Sequence, residues 1–180
     1  MTKKNLILIN PSPDHWFLGF VFSVIVPKSA YFPTSLLILS ALTPKDYQIK
    51  ISNRDFLGLK KKKLKSALVG ITCMTNNAYK AYRLADEYRR AGAFVVMGGP
   101  HVTALPQEAL EHCDSVVLGE AESVWPEVIK DFERASLKNI YEGKPLEDFF
   151  SPVYHYFLKL KPSFLWQAGL PLSRGCKYHC

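Results

Sequence analysis

Short apolar runs of strand length alternate along this chain with stretches of helical period, an order that few folds accept. Residues 5–10 (NLILIN) are apolar, short and followed by Pro11, the pattern of a strand buried on both faces. Pro33 precedes 34–42 (TSLLILSAL), where Thr34 and Ser35 are placed to begin a helix. Residues 47–52 (YQIKIS) alternate and read as a second strand. Residues 67–73 (ALVGITC), 93–97 (AFVVM) and 115–118 (SVVL) read as the third, fourth and fifth. The clearest helix covers 76–91. Ala78, Tyr82, Ala85 and Tyr88 or Arg89 share one face, the charges gather on the other, and Gly92 ends it. Shorter helices are expected over 105–112, behind Pro106, and over 122–134. Strands separated by helices in this way predict a doubly wound, parallel, five-stranded α/β sheet in the flavodoxin-like order 2-1-3-4-5. That domain is expected to fill residues 1–143. Residues 143–152 (GKPLEDFFSP) open a linker, and 144–180 is aromatic and punctuated by proline, with room for one more strand over 163–173.

In open parallel sheets, ligands bind beyond the carboxyl ends of the strands, where the strand order reverses. Four loops matter there, and they supply the candidate binding residues. After the first strand come Asn10 and Ser12; after the third, Thr72, Met74 and Thr75; after the fourth, Gly98, Gly99 and His101; after the fifth, Gly119 and Glu120. Paired glycines let a ligand approach the backbone closely. The hydroxyls of Thr72 and Thr75, near a helix start, suit a phosphate or an amide. Gly98 and Gly99 suit a tight turn equally well, so both readings stand at this point.

Composition narrows the class. With 180 residues, 48% hydrophobic and 22% charged, the chain can bury a core without a staple. Its four cysteines, Cys73, Cys113, Cys176 and Cys180, are too few and too uneven for a secreted disulfide framework. Cys73 and Cys113, at the edges of strands, read as small core residues. The first residues run into a strand rather than a signal peptide. The longest apolar run, 16–26, is shorter than the roughly 20 residues of a membrane span. A cytoplasmic protein with no membrane partner is the expectation. Much of the net charge of +7 sits in Lys60, Lys61, Lys62, Lys63 and Lys65. No aromatic residue interleaves with them, so they read as a solvated face rather than a nucleic-acid surface.

Familiar ligands of this fold can be tested residue by residue. A phosphorelay receiver needs an acidic cluster after the first strand and an aspartate after the third; Asn10 and Thr72 stand there instead. A flavodoxin needs a hydroxyl-rich phosphate loop after the first strand, and Asn10-Pro11-Ser12-Pro13 is a poor one. No dinucleotide or P-loop fingerprint falls in a suitable context.

Three stretches then point to one family. They are Gly98-Gly99-Pro100-His101-Val102-Thr103, Pro106-Gln107-Glu108-Ala109-Leu110, and Asp114-Ser115-Val116-Val117-Leu118-Gly119-Glu120-Ala121-Glu122. Together they resemble the cobalamin-binding domain of radical S-adenosylmethionine (SAM) enzymes. The C-terminal Ser173-Arg174-Gly175-Cys176-Lys177-Tyr178-His179-Cys180 is similar to the cluster motif that opens the barrel of the same family, and the two signals come in the family's order. The resemblance implies a corrinoid ligand, cobalamin, in the α/β domain. In the full-length parent it implies a four-iron, four-sulfur cluster held by a CxxxCxxC motif, with SAM chelated at the open iron. Thiolates suit iron as soft, charged donors. Cys176 and Cys180 match the first two ligands; the third would fall three residues beyond Cys180, so the sequence reads as truncated within the motif. The implied parent is a methyltransferase or a related radical catalyst, and this fragment is expected to be inactive.

Many cobalamin proteins carry an Asp-x-His-x-x-Gly loop after the first strand. Here Asp14 and His15 are adjacent and Gly19 lies four residues on, so ligation of cobalt by His15 is not expected. His101 either contacts the corrinoid or braces its loop. Glu122 reads as favouring the N-terminus of the following helix rather than as a ligand contact. Trp16, Phe17, Phe20 and Phe22 would cover a corrin face, pack on the rest of the parent, or drive self-association. Two alternatives remain: a degenerate scaffold that binds no corrin and serves as a docking or substrate-guiding module, and an unrelated flavodoxin-like binding domain with a chance CxxxC.

Overall fold

The structure is a computed structural model and describes residues 4–12, 34–52 and 64–145. Its strands are β1 (Lys4–Ile9), β2 (Tyr47–Ser52), β3 (Leu68–Thr72), β4 (Phe94–Gly98), β5 (Ser115–Gly119) and β6 (Ile140–Gly143). They form a single sheet in the order β2-β1-β3-β4-β5-β6, and every pairing is parallel. The helices are α1 (Thr34–Leu42), α2 (Ala78–Arg90), α3 (Pro100–Ala104), α4 (Pro106–His112) and α5 (Trp125–Glu133).

The sheet separates two apolar layers, because successive strand residues point to opposite faces. On one side Ile7, Ile9, Val69, Ile71, Val95 and Met97 meet Ala81, Tyr82, Ala85 and Tyr88 of α2, and Ala109 of α4. On the other side Leu6, Leu8, Leu68, Val96 and Val117 meet Leu36 and Leu39 of α1, and Trp125, Val128 and Ile129 of α5. On α2 the buried stripe includes Tyr88, whereas Arg89 reaches outward to Asp114 at 3.1 Å. Helices on both faces are what an all-parallel sheet requires, since each strand must be covered twice.

The sheet has six strands, not the expected five. The sixth, Ile-Tyr-Glu-Gly, escapes a search for apolar runs because it lies at an edge and buries only Tyr141. It is fixed by backbone proximity: a Cβ on Gly119 would lie 2.6 Å from the Gly143 carbonyl oxygen, so β5 and β6 end with two bare backbones in contact. Tyr141 Oη donates to Asp131 Oδ2 at 2.9 Å and accepts from the Lys138 amide at 3.1 Å, tying the strand to the end of α5. Helix α3 was also not expected; Pro100 begins it directly after the glycine turn. No helix among the described residues is long and apolar enough to cross a membrane.

Candidate functional site: a crevice at the strand ends

The carboxyl ends of β3, β4 and β5 open into a crevice of about 250 Å3, on the face covered by α1 and α5. Its floor is apolar. Leu36, Leu39, Val96, Val117 and Trp125 are all buried there, and Gly70 in mid-β3 leaves room for Leu8 beneath them. A Cβ at position 70 would lie 2.9 Å from Leu8 Cδ2 and 3.7 Å from Trp125 Cη2. The indole itself is held by a hydrogen bond from Nε1 to Thr43 Oγ1 at 2.9 Å, and Thr43 Oγ1 donates in turn to the Leu39 carbonyl at 2.7 Å. Trp125 is therefore a fixed wall.

The rim is built from the glycine turns. Gly99 has φ +109° and ψ 176°, a region open essentially only to glycine. A Cβ there would lie 2.7 Å from the Cys73 carbonyl oxygen and 3.0 Å from the Cys73 nitrogen. The missing side chain thus lets the β4 turn close on the end of β3, where the Cys73 amide donates to the Gly98 carbonyl at 2.8 Å and the His101 amide to the Cys73 carbonyl at 3.2 Å. Gly98 is looser: its Cβ would meet Val117 at 3.4 Å or more. The turn and the crevice are one construction, since both glycines also line the cavity.

Of the residues singled out in the sequence, Thr72, Gly98, Gly99, Gly119 and Glu120 line the crevice together. Asn10, Ser12, Met74, Thr75 and His101 do not. The Asn10 amide donates to the Ser52 carbonyl at 2.9 Å, and Lys80 Nζ donates to Ser12 Oγ at 2.8 Å. The Met74 amide donates to Asn77 Oδ1 at 2.8 Å, and Asn77 Nδ2 reaches the Pro11 carbonyl at 2.9 Å, joining the loops after β1 and β3. The Met74 side chain is half exposed. His101 is buried on the other face of the sheet, with Nδ1 3.3 Å from Thr75 Oγ1 and its ring centroid 6.0 Å from that of Tyr82. It braces two strand-end loops. Glu122 is buried, lines the crevice and sits in a short 3-10 turn (Ala121–Ser123) ahead of α5. Cys176, Cys180, His15 and the aromatic run from Trp16 to Phe22 lie outside the described residues.

The sequence reading missed Gly70, Leu36, Leu39 and Trp125, which shape the floor. Gly70 carried a usable signal: a glycine inside an otherwise β-branched strand marks a close approach. Burial pushes the Cys73 thiol up to about 12, with Glu108 adding to the effect, and burial likewise pushes Cys113 up to about 12. Both are therefore protonated core groups rather than nucleophiles. No group of three His, Cys, Asp or Glu side chains able to hold a metal ion occurs among the described residues.

The B12-binding domain model matches residues 38–129, just over half of the chain and every wall of this crevice except the start of α1. The chain belongs to the B12-binding domain family. The chain is also similar to curated proteins named as methyltransferases. The bacteriochlorophyllide d C-8(2)-methyltransferase of Chlorobaculum tepidum is 30% identical over 158 residues, covering 83% of this chain and 35% of that protein. The bacteriochlorophyllide d C-12(1)-methyltransferase of the same organism is 28% identical over 193 residues, covering 99% and 39%. An uncharacterized methyltransferase of Pyrococcus horikoshii is 34% identical over 180 residues, covering 82% and 39%. This B12-binding chain therefore spans less than two fifths of the length of these relatives.

Proposed function

We propose that this chain holds a cobamide by its nucleotide tail, as the corrinoid-binding part of a larger methyltransferase. The observation that carries the proposal is the open crevice between Gly98-Gly99, Gly119 and Trp125. Its volume is about 250 Å3. That is room for a bicyclic base and part of its sugar, and too little for a macrocycle. The corrin would lie outside, over the strand ends. The group suits the residues present: an apolar floor for a base, and half-buried Thr72 and Glu120 on the rim for the polar sugar and phosphate. When bound, a corrinoid supplies a cobalt centre able to carry a methyl group. The chain's own residues bind and orient it. Trp125 and Val117 exclude water from the base, and the Gly99 turn keeps the entrance at its present width.

Titration of the 180-residue chain with hydroxocobalamin should give saturable heat and a shifted absorption spectrum. A flat titration at saturating cofactor refutes the proposal. The further reading, that the parent is a radical SAM enzyme, rests on the motif around Cys176 and Cys180, with residues 144–180 as the linker and opening of its barrel. It calls for a third cysteine three residues beyond Cys180, and for a reconstituted longer protein with four iron and four sulfide per chain. A parent lacking that cysteine removes it. With only two such ligands, this chain by itself should show no SAM cleavage.

A further inference from the structure

We infer that the crevice selects among cobamides by the base at the end of the tail, taking a benzimidazole in preference to a purine. The inference rests on the reading that the tail enters here. Several of the polar atoms around the cavity are already paired with one another. The Gly98 carbonyl accepts from the Cys73 amide at 2.8 Å, and the Gly99 carbonyl accepts from the Thr103 amide at 3.0 Å and its hydroxyl at 3.1 Å. The Gly119 amide donates to Thr103 Oγ1 at 3.1 Å, and the Glu120 carbonyl accepts from Ser123 Oγ at 3.1 Å. Glu122, buried in the lining, also has an interaction of its own. Trp125 is the residue on the floor with a side-chain donor, and Nε1 is spent on Thr43, so the indole offers the cavity only carbon. The hydroxyls of Ser35 and Thr72 stand on more exposed ground, where they would meet sugar rather than base.

A base entering this floor leaves its water behind and meets mainly carbon, from Leu36, Leu39, Val96, Val117 and Trp125. A benzimidazole linked to the tail has one free ring nitrogen. Adenine has three and an exocyclic amino group. One buried donor or acceptor left unpaired weakens binding by about ten- to a hundred-fold. The discrimination is thus set by the apolar floor and the committed indole N–H, not by a clash.

The test compares three corrinoids on the intact 180-residue chain by calorimetry: cobalamin, its adenine-bearing analogue, and cobinamide, which has no nucleotide tail. Cobalamin should bind at least about ten-fold more tightly than the adenine analogue, and both more tightly than cobinamide. Equal affinity for the two tailed compounds, both tighter than cobinamide, overturns the base selection alone. Cobinamide binding as well as cobalamin, or no binding by any of the three, overturns the tail-in-crevice reading and this inference with it.

Discussion

Replacing Gly99 with alanine is a sharp test of the turn on which the crevice depends. The new methyl would sit 2.7 Å and 3.0 Å from backbone atoms of Cys73 and 3.1 Å from Thr72 Oγ1. Two of these neighbours belong to the chain just beyond β3 and cannot rotate away. The backbone angles add a second penalty, because φ +109° is unfavourable for any L side chain. Strain of this kind costs about 1–3 kcal/mol, and forced overpacking about as much again. Gly99→Ala should therefore destabilise the protein by about 2–6 kcal/mol. With a urea slope of ~2 kcal/mol/M, the midpoint should fall by about 1–3 M. Gly98→Ala is the matched control. Its methyl would meet Val117 at ordinary van der Waals separations, so its midpoint should move by less than about 0.5 M. Urea unfolding followed by far-ultraviolet circular dichroism reads both variants. A Gly99→Ala midpoint equal to wild type, or a Gly98→Ala loss as large as that of Gly99→Ala, would show that the turn is not held by the contact with β3.

Two further outcomes follow from the packing. Thr43→Val leaves the buried Trp125 Nε1 without its acceptor, which should cost about 1–3 kcal/mol, while Thr43→Ser should recover most of it; thermal unfolding indifferent to the valine would contradict the role given to this bond. The fold also raises the Cys73 and Cys113 thiols from 9.0 to about 12. The native state then keeps protons that the unfolded chain releases, so this stability is intact below about pH 9 and is lost as pH rises toward 12, by up to ~1.4 kcal/mol per pH unit for each thiol. Urea midpoints at pH 7, 9 and 10 should show that decline, less steep in a Cys73→Ala/Cys113→Ala double variant; an identical slope in the variant assigns the decline to other groups.

Much of the fold was legible because strand and helix differ in apolar period. The strand at 47–52 and the helix at 34–42 were delimited as observed, and the other central strands shift by a residue or two, where terminal residues fray or pair alone. What escaped had no period to read. β6 is only four residues long and is held by a glycine contact with β5 and by Tyr141, whose partner Asp131 is supplied by α5. The site divides the same way. Glycines at strand ends advertise a turn, and Gly98, Gly99 and Gly119 do line the crevice. Which side of the sheet a neighbouring residue faces is not written in the loop. His101, two residues beyond Gly99, turns to the α2 face and Thr75. Trp125 was not singled out, because nothing local couples it to Gly70, Leu36 and Leu39, its companions around the crevice more than fifty positions earlier.

The meeting of Gly119 with Gly143 has a mechanical consequence. Just beyond it, the Lys144 amide donates to Ser123 Oγ at 2.8 Å, so the last described residues are fastened at two points to the segment that carries Glu120 and Glu122. There is no compliant side chain between them to absorb a displacement. Tension or rotation applied to the polypeptide past Lys144 is delivered directly to one lip of the crevice, which makes that junction a stiff lever between the crevice and whatever follows it.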